Sequence, residues 1–217
     1  SETTTTSISI TALNGKFVWG TDDRGSGIAD FIKDDIEIFH GPTEYVLKDK
    51  KISSRSTSSF TTGEGYSIVH PDVKDVAMTV LPNAPIDADT GLPVPTIAVA
   101  TDGGVSVIRD DGSVVDITVN NASYTIARRV NFLSDNSLGM GIGVSNGVAQ
   151  ESYYIFNSIP SSDNVITVDN ITGTTKNVDE FYAIQSPNAL VDLQLLGLNS
   201  NRALLSSTGN SFASNEG

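Results

Sequence analysis

The chain has no cysteine, so a disulfide framework and a zinc–thiolate centre are both excluded. Histidine is almost as scarce, with only His40 and His70. That rules out a histidine-rich metal site and confines any Ser-His-Asp arrangement to one of those two residues. His40 closes the strand-like Ile36-Glu-Ile-Phe-His40 ahead of Gly-Pro, and His70 precedes Pro71, which are places for strand-end or turn histidines. Positive charge is also in deficit, with 13 Lys and Arg against 26 Asp and Glu for a formal charge of -13. A surplus of that sign repels phosphate backbones and anionic lipid, so neither a nucleic acid nor a membrane is an expected partner. No apolar run approaches the ~20 residues that cross a bilayer as a helix. Missing too are a phosphate loop and dinucleotide spacing among Gly139, Gly141, Gly143 and Gly147. Close packing of strands accounts better for those glycines, and no cofactor is expected.

What the chain has is turn chemistry. Asn14-Gly15, Asp102-Gly103, Asp111-Gly112 and Asn146-Gly147 favour the positive backbone angles of tight hairpins, and each lies between strand-like runs. Ile8 to Leu13 alternates before the first turn, and Lys16-Phe-Val-Trp-Gly-Thr21 follows it with aromatic and β-branched residues. Thr96 to Thr118 reads as three antiparallel strands joined by Asp-Gly-Gly and Asp-Asp-Gly turns. Helical periodicity is poor; Asn177 to Ile184 and Tyr124 to Val130 are the candidates for short helices. Four of the eight prolines fall in 82–95, which predicts an inserted loop. The segment 157–180 is expected to project as another loop.

A degenerate repeat runs through the chain: strand, a Thr or Ser turn with a nearby Gly, then strand. Its turns fall near Thr21, Thr62, Thr101, Ser145 and Ser207, at spacings of 41, 39, 44 and 62 residues. Those values straddle the ~40 to 45 residues of a four-stranded propeller blade. The expected fold is therefore all-β, built of β-propeller-like repeated antiparallel meanders, with a β-sandwich as the alternative. Residues 1–217 would form one domain or a partial propeller. The Ser- and Thr-rich beginning at Ser1 and the turn-rich stretch from Ser206 to Gly217 suggest a piece of a longer polypeptide.

The segment Asp87 to Ile117, containing Ala98-Val-Ala-Thr-Asp-Gly-Gly-Val-Ser106, resembles blades of propeller-containing virion proteins of tailed bacteriophages, especially marine ones. Val130 to Leu138 and Leu190 to Ser200 are similar to the innermost strands of further blades. The Gly-His and Trp-Asp pairs of WD repeats are absent, as is the Ser-x-Asp-x-Gly-x-Thr-Trp box of sialidase propellers. The resemblance implies a non-enzymatic structural or interaction module of a virion tail or appendage. Its partners would be other copies or other virion proteins.

The alternative is a β domain that binds or cleaves a host-surface glycan. Trp19, Tyr153 and Tyr154 are the candidate binding residues, able to stack on a sugar ring if exposed and otherwise core residues. Abundant carboxylates would allow a paired-acid hydrolase, but nothing in their spacing singles out a catalytic pair, and no catalytic residue is assigned. Asp87-Ala-Asp89-Thr-Gly91 offers alternating oxygen ligands without the rest of a calcium loop, so a solvated loop is the competing reading and no metal site is assigned. Asn121-Ala-Ser123 and Asn170-Ile-Thr172 match the glycosylation sequon.

Overall fold

Asn14 and Gly15 both adopt positive φ, 50° and 79°, and turn β1 (Ser7–Leu13) straight back into β2 (Lys16–Thr21). This is the two-residue turn whose twist matches that of paired strands. β3 (Ser26–Asp30), β4 (Asp35–His40), β5 (Thr43–Leu47) and the two-residue β6 (Thr61–Thr62) continue the meander into a six-stranded antiparallel sheet. The computed structural model describes residues 7–40, 43–47, 61–62, 67–122, 125–143, 150–168, 175–176, 180–185, 193–198, 201–206 and 213–214.

A second meander is formed by β7 (Val73–Thr79), β8 (Thr96–Thr101), β9 (Gly104–Ile108) and β10 (Val114–Val119). The third sheet holds β11 (Ile126–Phe132), β12 (Leu138–Gly143), β13 (Gln150–Phe156), β16 (Glu180–Gln185) and β19 (Ala213–Ser214). Between β13 and β16 the chain returns to the second sheet. There β14 (Asn164–Val168) pairs in parallel with β10, and β15 (Thr175–Lys176) pairs with β14. β17 (Leu193–Leu198) and β18 (Asn201–Ser206) form a separate hairpin.

The sheets stack face to face, and the alternation along β8 shows how. Ile97 and Val99 join Val73 and Val76 against Val18, Ile28 and Phe39 of the first sheet. Ala98 and Ala100 join Val105, Val107 and Ile117 against Ala127, Leu138, Met140 and Ile142 of the third. A strand covered on both faces has no polar side, which is why Thr96–Thr101 is buried at every position. The fold is all-β, with antiparallel meanders repeated along the chain and stacked like propeller blades. Each stacked pair is locally a sandwich, and the sheets do not close into a ring among the described residues.

Two expectations change. Neither proposed helix forms: 126–132 is β11, and 180–185 is β16, because Tyr182 and Ala183 find cross-strand partners in Tyr153 and Ser152. Residues 177–179 and 123–124 lie outside the described residues. The segment 157–180 does not simply project, since β14 extends the second sheet within it. Thr62 ends β6 in the first sheet, and residues 63–66 lie outside the described residues, whereas Thr21 and Thr101, 80 residues apart, end β2 and β8 and head turns of unequal length with a shared hydrogen bond. In both, the threonine Oγ1 donates to a glycine carbonyl at 2.9 Å, that of Gly25 and that of Gly104. Ser145, Ser207 and the Asn146-Gly147 turn lie outside the described residues.

Candidate functional site

On β2 the odd and even positions part company. Val18 is fully buried against the second sheet, while Phe17 and Trp19 lie half-buried on the opposite, outward face. Their rings stack at 6.0 Å with planes 29° apart, and Phe31 tilts against Phe17 at 6.3 Å. Trp19 lies over Gly27, its register partner on β3, where any Cβ would collide with the indole. On its other side it faces Ile10 of β1, which is 63% exposed. A row of apolar side chains thus runs across the outward face of the first sheet.

One rim of that face is built from three turns. Phe31 N–H donates to the Gly15 carbonyl at 3.0 Å, and Ile32 packs on Gly15, binding the β3–β4 turn to the β1–β2 turn. The proline-rich stretch between β7 and β8 is a small hairpin of its own, with an Ile86–Pro93 bridge and Asp87 N–H donating to the Leu92 carbonyl. Asn14 Nδ2 reaches across to donate to the Pro93 carbonyl at 2.8 Å. Lys33 Nζ lies 2.5 Å from Asp87 and 3.6 Å from Asp89. A side-chain hydrogen bond from Lys33, opposed by desolvation and aided by the Asp89 and Thr90 N–H groups, holds the Asp87 carboxyl below its usual range. The alternating carboxylates of this loop thus engage a lysine. No group of three or more His, Asp or Glu side chains in a metal-binding arrangement occurs among the described residues.

Beneath the rim, Lys16 Nζ donates to Asp30 at 3.0 Å. Burial pushes the Asp30 carboxyl up, but the Lys33 and Ile32 N–H groups together with Lys16 outweigh it and leave the group below its usual range. Asp30 is therefore an ionised anchor of the β3–β4 turn.

Tyr153 and Tyr154 do not belong to this face. Neighbours in a strand point to opposite sides of the sheet, and here both sides are covered: each tyrosine is only 1% exposed. Tyr154 joins the core between the second and third sheets. Tyr153 lies on the other face over Gly139 and Gly141, with its hydroxyl donating to Asn131 Oδ1. A ring stacked on a surface glycan needs exposure that neither has. Of the three candidate binding residues only Trp19 keeps open surface.

Other polar side chains meet the backbone or one another. His40 Nε2 is 3.2 Å from the Asp23 carbonyl oxygen, and His70 Nδ1 accepts the Asp72 N–H at 3.1 Å. Asp116 accepts the Ser106 hydroxyl at 2.6 Å while its N–H donates to Asp163 Oδ1 at 3.0 Å. Burial, opposed by the Ser106 hydrogen bond and reinforced by the Asp163 charge, raises the Asp116 carboxyl above its usual range. The apolar outward face was missed at the level of sequence beyond Trp19, although Phe31-Ile32 beside an acidic turn was a readable signal.

No family model matches the chain, and no curated protein matches it. Among solved structures, BBS1N in its complex with ARL6DN, from a crystal soaked with lead, is similar over 95% of this chain and 77% of that one. The identity is 10% and the TM-score 0.35.

Proposed function

We propose that the chain is a non-enzymatic structural and interaction module of a tailed-phage virion, a tail or appendage component that assembles with other copies or other virion proteins. The observation that carries the module reading is the outward face of the first sheet, where Ile10, Phe17, Trp19 and Phe31 meet solvent instead of a further sheet among the described residues. Stacked meanders bury such faces, and a large apolar patch left at the end of a stack is a contact surface. The resemblance of 87–117 to blades of phage virion proteins supports the particle as its setting. Antibodies to the protein should label tails or appendages of tailed particles from the source that encodes it; purified particles that carry neither label nor peptides of the chain overturn the virion setting.

A glycan-binding role is the second reading, favoured by the stacked Phe17–Trp19 pair, since aromatic faces at a surface suit sugar rings. It predicts binding on a glycan array that Trp19→Ala abolishes. An array without signal leaves the protein-contact reading alone.

A further inference from the structure

We infer that the outward face of the first sheet docks a protein of a different kind, one whose own apolar surface is ringed by lysine and arginine. This deepens the module reading and rests on it, but not on the virion setting.

The face is apolar row by row. Cross-strand partners share a side of the sheet, so Ile10, Trp19, Gly27 and Ile38 form one outward row from β1 to β4. Ala12, Phe17, Ala29 and Ile36 form the next. Neither row holds a polar side chain. Gly27 lies under the Trp19 indole, and Phe31 continues the surface beyond Phe17. Ile10 stands 63% exposed and Phe31 71%. Scattered apolar residues need no explanation, but two apolar rows across four strands mark an interaction surface.

Charge selects the occupant, because the turns at both ends of the rows are acidic. At the Asn14 end, Lys16 and Lys33 stand against Asp30, Asp34, Asp35, Asp87 and Asp89. At the other end, Arg24 stands against Asp22 and Asp23 in the β2–β3 turn. Carboxylates thus outnumber cations at each end among the described residues, on a chain that carries -13. A second copy would bring the same acidic turns against these, and anionic lipid or nucleic acid would be repelled in the same way. An uncharged sugar would leave the rim unused. A partner with a basic ring around an apolar centre complements both parts of the face: the rows supply contact area, and the acidic turns steer and orient the encounter. The rim is fixed before any partner arrives, by the Phe31 N–H on the Gly15 carbonyl and by Asn14 Nδ2 on the Pro93 carbonyl. Preformed turns reduce the ordering cost of docking.

Trp19 is the chain's one tryptophan, so its emission reports on whatever covers this face. The probes are a tryptophan-free peptide of alternating leucine and lysine, and the same peptide with glutamate in place of lysine. Titrated into the whole chain at about 50 mM salt, the lysine peptide should move Trp19 emission to shorter wavelength with a dissociation constant in the micromolar range, weakening about tenfold by about 500 mM. The glutamate peptide should leave the emission unchanged. Asp34→Asn with Asp89→Asn should weaken binding about fivefold, and asparagine tolerates the positive φ of Asp34 (61°), so the turn is kept. Asp110→Asn, in the β9–β10 turn of the second sheet, should change nothing. Ile10→Ser with Phe31→Ser should weaken binding about tenfold. Should that variant lose its far-ultraviolet β spectrum, Ile10→Ser alone supplies the same readout. An emission that neither peptide moves overturns the inference, as do equal binding of both peptides, an equal loss from Asp110→Asn, or a chain that sediments as a dimer with Trp19 already covered. Labelled particles whose chain ignores both peptides would sink this inference alone, and a lysine-peptide response with unlabelled particles would sink only the virion setting. A glycan signal that depends on Trp19, without any peptide response, would overturn the module reading as well.

Discussion

Gly25 and Gly104 occupy equivalent places in the first two sheets. Each follows a threonine turn, has positive φ (79° and 134°) and backs onto a carbonyl of the fourth strand, Phe39 in one case and Ile117 in the other. A Cβ on Gly25 would overlap the Phe39 oxygen, and at such a φ an L side chain is strained even in open space. Backbone atoms cannot swing aside as a side-chain tip could. Gly25→Ala should therefore cost about 2–4 kcal/mol, read as a lower urea midpoint at unchanged slope. Gly112 is the control, for it too has positive φ (83°) but meets nothing within 4 Å. Gly112→Ala bears the conformational strain alone and should lose only about 1 kcal/mol. Equal losses at both positions would show that crowding against Phe39 contributes nothing.

One carboxylate links the first strands of all three sheets. β1, β7 and β11 each carry a register shift near the start, between Ser7 and Ser9, Val73 and Asp75, and Ala127 and Arg129. At the middle one, Asp75 Oδ1 accepts the Ser9 hydroxyl at 2.8 Å and the Val76 N–H at 3.0 Å, while Oδ2 accepts the Val130 N–H at 3.1 Å. A bulge turns a side chain out of the alternating pattern, and here it aims the carboxylate at two neighbouring sheets. Asp75→Ala takes the acceptor from the Ser9 hydroxyl and the Val130 N–H and leaves the Val76 N–H only its 3.3 Å bond to Ser9 Oγ, so a loss of about 2–4 kcal/mol is expected in chemical denaturation. Asp75→Asn, which keeps an acceptor oxygen for part of the set, should lose less. This device was not legible in the sequence, because Lys74-Asp75 looks like any charged pair ahead of Val76. The hairpins were legible, since Asn14-Gly15 and Asp111-Gly112 encode their angles in two adjacent residues. β14 was not: its parallel pairing with β10 joins residues 47 apart, Ile117 with Asn164, and leaves no local mark. The failed helix over Asn177 to Ile184 has a similar cause, as short apolar runs fit either period until cross-strand partners decide. For the site, the adjacency of Tyr153 and Tyr154 contained half of the answer. In a strand such neighbours face opposite ways, so at most one could have met a surface on a given face.

At the scale of the whole molecule, the second sheet is the layer that others are built on, and β8 shows what that demands of a sequence. Ile97 points toward Val18 and Phe39, whereas Ala98 points toward Leu138 and Met140. Large residues on one side and small ones on the other set different layer spacings from a single strand. Ile97→Ala should open a cavity toward the first sheet and cost about 2–4 kcal/mol. Ala98→Leu should instead overfill the gap to the third sheet and cost about 1–3 kcal/mol. The two residues are adjacent in sequence yet share no partner across the sheet, so the double variant should lose the sum of the single losses to within about 0.5 kcal/mol. A marked deficit from that sum, measured by urea denaturation, would mean that the first and third sheets shift together through β8. The stack would then transmit strain across three layers, and a contact made on the outward face near Trp19 would be felt at Met140.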